Sequence, residues 1–202
     1  MRYLPVGLDL RDRRALVVGA GPEIPAKIER LLAAGARVTV IAGAPDDAVR
    51  ELAARGAIEL CEREAADADL DGAAIVFVAP GDGAREARWH ERVVREGRLL
   101  CVIDRPASST FANLALARAP SLTIAIGTDG ASPALARRLR EDLEAAFADP
   151  RFARFLAKIA ALRASLPKGA RARAALAVKG FAVEIALRFP AWFERGEDPP
   201  DS

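Results

Sequence analysis

A glycine-rich turn near the amino terminus has the composition and the position of a phosphate-binding loop. The segment GAGPEI, from Gly19 to Ile24, follows an apolar run and precedes the helix-forming AKIERLLAAGA. Gly19 permits a tight turn, Gly21 lets the backbone approach a diphosphate, and the helix start offers free N–H groups and a positive dipole end. We predict a dinucleotide site here, with a plain strand-to-helix turn as the alternative. The predicted contacts in and beside the turn are Gly19, Ala20, Gly21, Ile24 and Ala79.

The sequence departs from the usual dinucleotide fingerprint at two residues and lacks a third. Ile24 stands where a small residue would allow the helix to pack closely on the strand, and Glu23 brings a carboxylate near the phosphates. The fingerprint usually has an Asp or Glu about 20 residues after the glycines, at the end of the second strand, where it holds the ribose hydroxyls. The segment IAGAP, at the end of the second apolar run, contains neither residue. We therefore expect the backbone of Gly43 and Ala44 to hold the ribose.

Asp104 stands at the carboxyl end of another apolar run, in CVIDRP. Ligands of open α/β sheets bind outside the carboxyl ends of the strands, where a carboxylate can accept a proton or steady a cation. The alternative is an Asp that caps its loop by accepting hydrogen bonds from nearby N–H groups. Arg105 could simply pair with this neighbour, so the residues alone leave both interpretations open.

The segment GTDGASP carries Thr128 and Ser132 into a turn that precedes a helix. Ser132 is the predicted N-cap and Pro133 the first helical residue, so the helix start could receive an anionic ligand. The alternative is a turn and cap without a ligand. On the same helix, Arg137 and Arg138 could bind an anion or belong to a solvated face.

Histidine and cysteine are too few for several common kinds of active site. His90 is the sole histidine, which excludes a zinc site with several histidines, and its place on a predicted helix disfavours a histidine-dependent triad. Cys61 and Cys101 fall within predicted strands, which favours burial as small hydrophobes over a disulfide or a metal site. We predict no resident metal ion.

Short apolar runs alternate with segments rich in Ala, Leu, Arg and Glu, the pattern of a parallel sheet covered by helices on both faces. The fold class is α/β: a Rossmann-type sheet in residues 1–104, a small α+β unit in 105–148 and a helical region in 149–202. The segment FANLALARAP fits either helix or strand. The predicted strands are Ala15–Gly19, Arg37–Ile41, Ala57–Cys61, Ala74–Ala79, Arg98–Ile103 and Leu122–Gly127.

The carboxy-terminal part is predicted to be helical and locally basic. Residues 151–190 suggest helix throughout, with a break at 167–169 and a hinge at Gly180. They hold nine Lys or Arg side chains against the single acid Glu184. The acidic, Pro-rich end GEDPPDS is expected to fray.

Composition argues for a soluble, cytoplasmic protein without a nucleic-acid or membrane partner. The 202 residues carry 30 basic and 28 acidic side chains, too even a balance for nucleic-acid binding through bulk charge. No stretch reaches the about 18–20 apolar residues of a membrane span. The start does not have the pattern of a secretory signal.

Four segments resemble one known family: YLPVGLDLRDRRALVVGAG, GARVTVIA, CVIDRP followed by Phe111, and TIAIGTDGASPALARRLREDLE. The family is the bifunctional precorrin-2 dehydrogenase and sirohydrochlorin ferrochelatase, which also forms the amino-terminal half of siroheme synthase. The resemblance runs from about Tyr3 to the helices after Arg151. It implies an enzyme that removes a hydride and a proton from the tetrapyrrole precorrin-2 with NAD, and then exchanges pyrrole protons for ferrous iron.

The resemblance also implies roles for particular residues. Asp104 matches a carboxylate considered essential in the family, a proton acceptor in one or both steps. Thr128 falls near the substrate or on the element that forms an intertwined homodimer, and we group Ser132 with it. The acetate and propionate groups of a tetrapyrrole need cations, which Arg137, Arg138 and the basic helical region could supply. Positions that match cofactor contacts are Pro22, Glu23, Gly43 and Ala44.

The chain departs from the family pattern mainly on the cofactor side. It has VAPGDGAREARWHE where relatives commonly have an Ala-Thr-Asp type segment and an Asn, and Cys101 where they usually have Asn. Two alternatives stay open: a chelatase without dehydrogenase activity, and a dinucleotide-sensing regulatory module. Such modules generally carry an acid after the second strand and lack the TDGASP segment.

Overall fold

Five parallel strands form one sheet. The computed structural model describes residues 3–167, 178–184 and 186–196. The strands are β1 (Arg14–Val18), β2 (Arg37–Ile41), β3 (Glu59–Cys61), β4 (Ile75–Val78) and β5 (Leu99–Val102). They lie in the order β3-β2-β1-β4-β5, so the chain builds outward from β1 in one direction and then returns to its other side at β4. This is the Rossmann strand order 3-2-1-4-5-6 without its sixth strand, and the predicted fold class is confirmed.

The register brings the carboxyl ends of the strands to one edge of the sheet. Val18 of β1 lies beside Ile41 of β2 on one side and Val78 of β4 on the other. Val78 in turn lies beside Val102 of β5. The segments that follow these four strands, which hold most of the predicted site residues, therefore leave the sheet at the same edge.

Alternate strand residues point to opposite faces, and each face has its own core. On one face, Val17 packs in a cluster with Ile28, and neither side chain is exposed. On the other face, Leu16 packs in a cluster with Trp89, which is 1% exposed. Burial on both faces explains why these strands are continuous apolar runs rather than alternating ones.

The helices follow the strands as the pattern predicts. They are α1 (Ile24–Ala33), α2 (Asp47–Ala54), α3 (Gly83–Arg95), α4 (Pro133–Ala146), α5 (Pro150–Ser165) and α6 (Ala191–Glu194). Short 3-10 turns lie at Asp67–Leu70 and Pro106–Ser108. Asp82 caps α3, where its carboxylate accepts hydrogen bonds from the next turn. Within the described ranges, no helix has the length and apolar character needed to cross a bilayer.

A small hairpin follows the parallel sheet. It consists of β6 (Ala115–Ala119) and β7 (Leu122–Ile126), and because only two residues join them the strands are antiparallel. After β7, Ser132 caps α4: its hydroxyl accepts a hydrogen bond from the Leu135 amide at 3.1 Å. Pro133 is the first helical residue, as the sequence predicts.

The chain divides into two compact units. One contains the described residues up to Ala117 together with Ile124–Glu141, and the other contains Arg118–Thr123 with the described residues from Asp142 onward. In the second unit, the ring of Phe181 stacks on that of Phe155 with centroids 5.2 Å apart.

The prediction of helix throughout 151–190 is wrong in its later part. Helix α5 ends at Ser165, and the described residues from 178 to 190 form a turn followed by non-helical chain. Gly180 takes a φ of +90°, which a helix cannot contain, and β-branched residues weaken the helical preference around it. The predicted break at 167–169 lies mostly outside the described residues.

Candidate functional site

Gly19 makes the turn at the end of β1, and only glycine fits there. Its φ is +95°, and its amide donates a hydrogen bond to the Ile41 carbonyl at 2.8 Å. A Cβ at this position would lie 2.7 Å from the Cβ of Ala79, closer than non-bonded carbon atoms approach in proteins. The predicted tight turn is therefore pressed against the residue that follows β4.

Gly21 leaves open space where a ligand can approach the backbone. Its φ is +144°, and a Cβ built on it would meet no atom within 4 Å. Its amide points toward the next loop and donates a hydrogen bond to the Asp46 carboxylate at 3.3 Å. This backbone cradle fits a diphosphate, which needs close approach and N–H donors.

The start of α1 supplies fewer N–H donors than an ordinary helix start. Pro22 and Pro25 have no N–H, and the Ile24 amide donates to the Gly21 carbonyl at 3.0 Å. In the described part of the chain, no hydrogen bond engages the amides of Ala20 and Glu23, which remain for a ligand. The Ile24 side chain is 1% exposed within the core, so it is turned away from any ligand at this turn.

Glu23 does not leave an unbalanced negative charge beside the turn. Its carboxylate forms an ion pair with Lys27 one helical turn later, at 3.0 Å. The Lys27 side chain is only 12% exposed, so the pair is partly shielded from solvent. The repulsion expected between Glu23 and a phosphate is thereby reduced.

Asp46 is the acidic residue that the sequence analysis missed. It stands at the N-cap position of α2 but makes no side-chain cap hydrogen bond, and its carboxylate reaches the Gly21 amide instead. Nearby, a Cβ on Gly43 would lie 3.0 Å from a Glu64 oxygen, and Glu64 pairs with Arg85 at 3.4 Å. Asp46 directly follows the segment IAGAP, so its position in the sequence was a signal that could have identified it. Gly43 and Ala44 are exposed at the end of β2, beside these carboxylates.

A cavity of about 560 Å³ lies within the first unit, beside the carboxyl end of β5. Its lining includes three residues that the sequence predicted: Glu23, Asp104 and Thr128. It also includes Arg105, which the sequence analysis considered only as a partner of Asp104, and two cations that it did not mention, Lys27 and Arg30. Lys27 and Arg30 are three residues apart on α1, so the 3.6-residue helical period alone would have placed them on one face.

Asp104 is presented at the cavity by a tight turn after β5. Its φ is +58°, a left-handed conformation that Asp tolerates better than most residues. Ser109 holds the turn, since its hydroxyl accepts a hydrogen bond from the Val102 amide at 2.9 Å and donates to the Arg105 carbonyl at 2.9 Å. The Asp104 carboxylate is exposed and makes no hydrogen bond or ion pair with another described residue.

Arg105 does not pair with its neighbour. Its guanidinium lies 3.2 Å from a carboxylate oxygen of Glu86 on α3. The other oxygen of Glu86 accepts a hydrogen bond from the Gly81 amide at 2.8 Å. Glu86 is 2% exposed, so a buried carboxylate connects the loops that follow β4 and β5.

Cys101 is a buried thiol in the wall of the cavity. Burial raises the pKa of the Cys101 thiol, while the positive charge of Lys27 acts in the opposite direction. A thiol of this kind stays protonated and is a poor nucleophile near neutral pH. Cys61 and Cys101 are both free and both lie in strands, as predicted. Among the residues that the structure describes, no three His, Cys, Asp or Glu side chains are grouped to hold a metal ion.

Thr128 and Ser132 are engaged with the start of α4. The Thr128 hydroxyl accepts a hydrogen bond from the Ser132 amide at 3.3 Å and donates to the Ser132 carbonyl at 3.2 Å. Arg137 has a side chain that is 77% exposed and pairs with Glu141 at 3.0 Å. Ser132, Arg137 and Arg138 are not among the lining residues of the cavity, although Thr128 is.

Two family models match the chain. The model described as "Putative NAD(P)-binding" matches residues 6–115, more than half of the chain. The model described as "Sirohaem biosynthesis protein central" matches residues 121–146. The first match covers the parallel sheet with its glycine turn and Asp104, and the second covers the strand and helix on either side of Thr128.

Several known proteins are similar to this chain. A siroheme synthase of Methylococcus capsulatus is 38% identical over 144 residues, covering 71% of this chain and 30% of that protein. A siroheme synthase of Thioalkalivibrio sulfidiphilus is 34% identical over 190 residues, covering 94% of this chain and 35% of that protein. The chain thus spans about a third of the length of these relatives. A solved structure titled "SirC, precorrin-2 dehydrogenase" superposes with a TM-score of 0.70 and 26% identity, covering 88% of each chain.

Proposed function

Since this chain belongs to the NAD(P)-binding family whose model matches residues 6–115, we propose that it is a dehydrogenase that oxidises precorrin-2 to sirohydrochlorin with NAD. The siroheme synthase relatives and the precorrin-2 dehydrogenase structure support this substrate. One observation carries the proposal: an open glycine turn lies at the same edge of one sheet as Asp104, which lines a cavity and makes no hydrogen bond or ion pair with another described residue.

The glycine turn fits the diphosphate of the cofactor. The amides of Ala20 and Glu23, which no described residue engages, are donors, and Gly21 leaves room for the approach. Asp46 is placed to accept hydrogen bonds from the adenosine ribose, with Gly43 and Ala44 beside it. NAD, when bound, supplies the hydride acceptor.

Lys27 and Arg30 are placed to bind the carboxylates of the substrate. Both line the cavity from one face of α1, and Lys27 is mostly shielded from solvent. Hydrogen bonds between a cation and a carboxylate are stronger in such a partly buried setting than on an open surface. We therefore assign to this pair the role that the sequence analysis gave to Arg137 and Arg138.

Asp104 acts as the proton acceptor. Oxidation of precorrin-2 removes two hydrogens, one as a hydride and the other as a proton, so a base must stand beside the substrate. Asp104 has no competing partner among the described residues, and its turn is fixed by Ser109. A free carboxylate at the cavity wall can therefore take the proton.

The same carboxylate favours a second activity. Insertion of ferrous iron, a substrate here, releases two pyrrole protons, and Asp104 at the cavity wall is placed to accept them. A chelatase without dehydrogenase activity would need Asp104 but not the glycine turn. A homodimer also belongs to this proposal, and sedimentation velocity of the purified protein tests it.

The decisive experiment supplies the pure protein with precorrin-2 under anaerobic conditions, with NAD and then without it. Absorbance of sirohydrochlorin should appear only when NAD is present. If the spectrum stays that of precorrin-2 but iron is inserted into sirohydrochlorin supplied directly, the chain is a chelatase alone. If neither reaction occurs while NAD binds, a dinucleotide-sensing role replaces both.

A further inference from the structure

Glu86 is a buried carboxylate that the proposed reaction does not use. It lies on α3, is 2% exposed, and one oxygen accepts the Gly81 amide at 2.8 Å. The other oxygen has no hydrogen bond of good geometry within the described residues, and its partner is the charge of Arg105 at 3.2 Å. Burial of a carboxylate costs free energy unless the carboxylate is paired, so the burial of Glu86 needs an explanation.

Arg105 has another carboxylate within reach. Asp104 precedes it in the chain, and both line the same cavity. Adjacent residues of this protein do form such pairs: the Arg140 guanidinium lies 3.1 Å from the carboxylate of Glu141. The Arg105 side chain is 46% exposed, so it has room to change rotamer.

We propose that Glu86 is a positioning residue that holds Arg105 away from Asp104 and so keeps Asp104 unpaired as the proton acceptor. The proposal rests on the function proposed above, in which Asp104 is that acceptor. A carboxylate paired with a guanidinium is stabilised in its charged form and accepts a proton less readily. By binding Arg105 from a buried position on α3, Glu86 prevents this pairing.

The remaining charges around Asp104 do not replace Arg105 in this role. Glu23 and Lys27 are paired with each other at 3.0 Å on α1, and a substitution at Glu86 leaves that pair intact. Arg30 lies on the same helix, where we place it against substrate. The other charged or titratable residues that line the cavity with Asp104 and Arg105 are Tyr3, Glu23, Lys27, Arg30, Cys101 and Asp129.

The test uses Glu86→Gln, which keeps the shape and an acceptor for the Gly81 amide but removes the charge. We expect kcat for precorrin-2 oxidation to fall about tenfold or more, with the affinity for NAD unchanged. The acidic limb of the kcat profile should move to lower pH, because a paired Asp104 stays charged further into acid. The matched control is Glu91→Gln, an exposed acid on the same helix, which should behave as wild type.

Rescue separates this role from a merely structural one. Adding Arg105→Gln to Glu86→Gln should restore most of kcat and return the acidic limb to its wild-type position, because no guanidinium remains to pair with Asp104. Glu86→Asp, which keeps the charge, is the second variant, and its acidic limb should stay near that of wild type. A double variant as impaired as Glu86→Gln, or an acidic limb that does not move in Glu86→Gln, would overturn the proposal.

The failures of the two proposals can be told apart. If wild type does not oxidise precorrin-2, or Asp104→Asn is fully active, the proposed function fails and this inference fails with it. If wild type is active, Asp104→Asn is not, and Glu86→Gln has a wild-type profile, only the role of Glu86 is refuted.

Discussion

Substitution of Gly19 by Ala tests how the cofactor turn is built. Two costs are expected on folding. An L side chain in a left-handed conformation costs about 1–2 kcal/mol, and Gly19 has a φ of +95°. The new methyl group would lie 2.7 Å from the Cβ of Ala79, and forcing an extra carbon into a packed site costs about 1–3 kcal/mol. Together these lower the free energy of unfolding by about 2–5 kcal/mol.

Gly130→Ala is the matched control for the conformational cost. Gly130 has a φ of +87°, and a Cβ there would meet nothing within 4 Å. Only the first cost applies, so its loss should be about 1–2 kcal/mol. Adding Ala79→Gly to Gly19→Ala should restore part of the stability, since it removes the atom that the new methyl group meets. Ala79→Gly alone supplies the baseline for that comparison.

Urea denaturation of the four variants, followed by circular dichroism, measures these free energies. A Gly19→Ala variant that loses no more stability than Gly130→Ala would show that Gly19 is not pressed against Ala79. A double variant with no recovery over Gly19→Ala would refute the assignment of the overlap to Ala79.

Three further outcomes follow from the site. Asp46→Asn should weaken NAD binding about tenfold and NADP binding less, since the carboxylate favours a ribose hydroxyl over a phosphate. Titration calorimetry measures both affinities, and the control Asp47→Asn should bind NAD as wild type does. Lys27→Met should raise KM for precorrin-2 by about 10–100-fold with a smaller effect on kcat, whereas an unchanged KM removes Lys27 from substrate binding. Hydrogen bonds from the Arg151 side chain and amide lower the pKa of Asp149 from its ordinary 3.8 to about 2. Asp149 therefore stabilises the fold above about pH 4, and its advantage over Asp149→Asn in thermal melts should shrink as the pH falls from about 4 through 2; an advantage at pH 2 as large as that at neutral pH contradicts this.

The parallel sheet could be predicted because its signal is local. Strands buried on both faces are continuous apolar runs, and the first five of the six predicted strands became the parallel sheet, each within two residues at either end. The cap of α4 at Ser132 was equally local, since a cap depends on a few consecutive residues. β6 could not be identified, because ALARA suits a helix by composition and becomes a strand only through pairing with β7.

The contacts that distinguish the site join residues far apart in the chain, so local sequence patterns do not predict them. Gly21 and Asp46 are 25 residues apart, and Arg105 meets Glu86 on a helix between two strands. Arg105 was expected beside Asp104 if it paired at all, because adjacency is the only proximity that a sequence shows. The helical period places Lys27 and Arg30 on one face of α1, but the cavity that this face lines is built from segments far apart in the chain, so local sequence patterns do not indicate it.

A pair of matched variants tests the role of the carboxylate at the end of β5 most directly. Asp12 and Asp104 are both exposed residues in left-handed turns, with φ of +57° and +58°, and Asn tolerates that conformation equally well. Asp12 precedes β1, at the opposite edge of the sheet. Asp104→Asn should lower the rate of precorrin-2 oxidation by about 100-fold or more with NAD binding retained, while Asp12→Asn keeps the wild-type rate. Equal rates in the two variants would contradict the account.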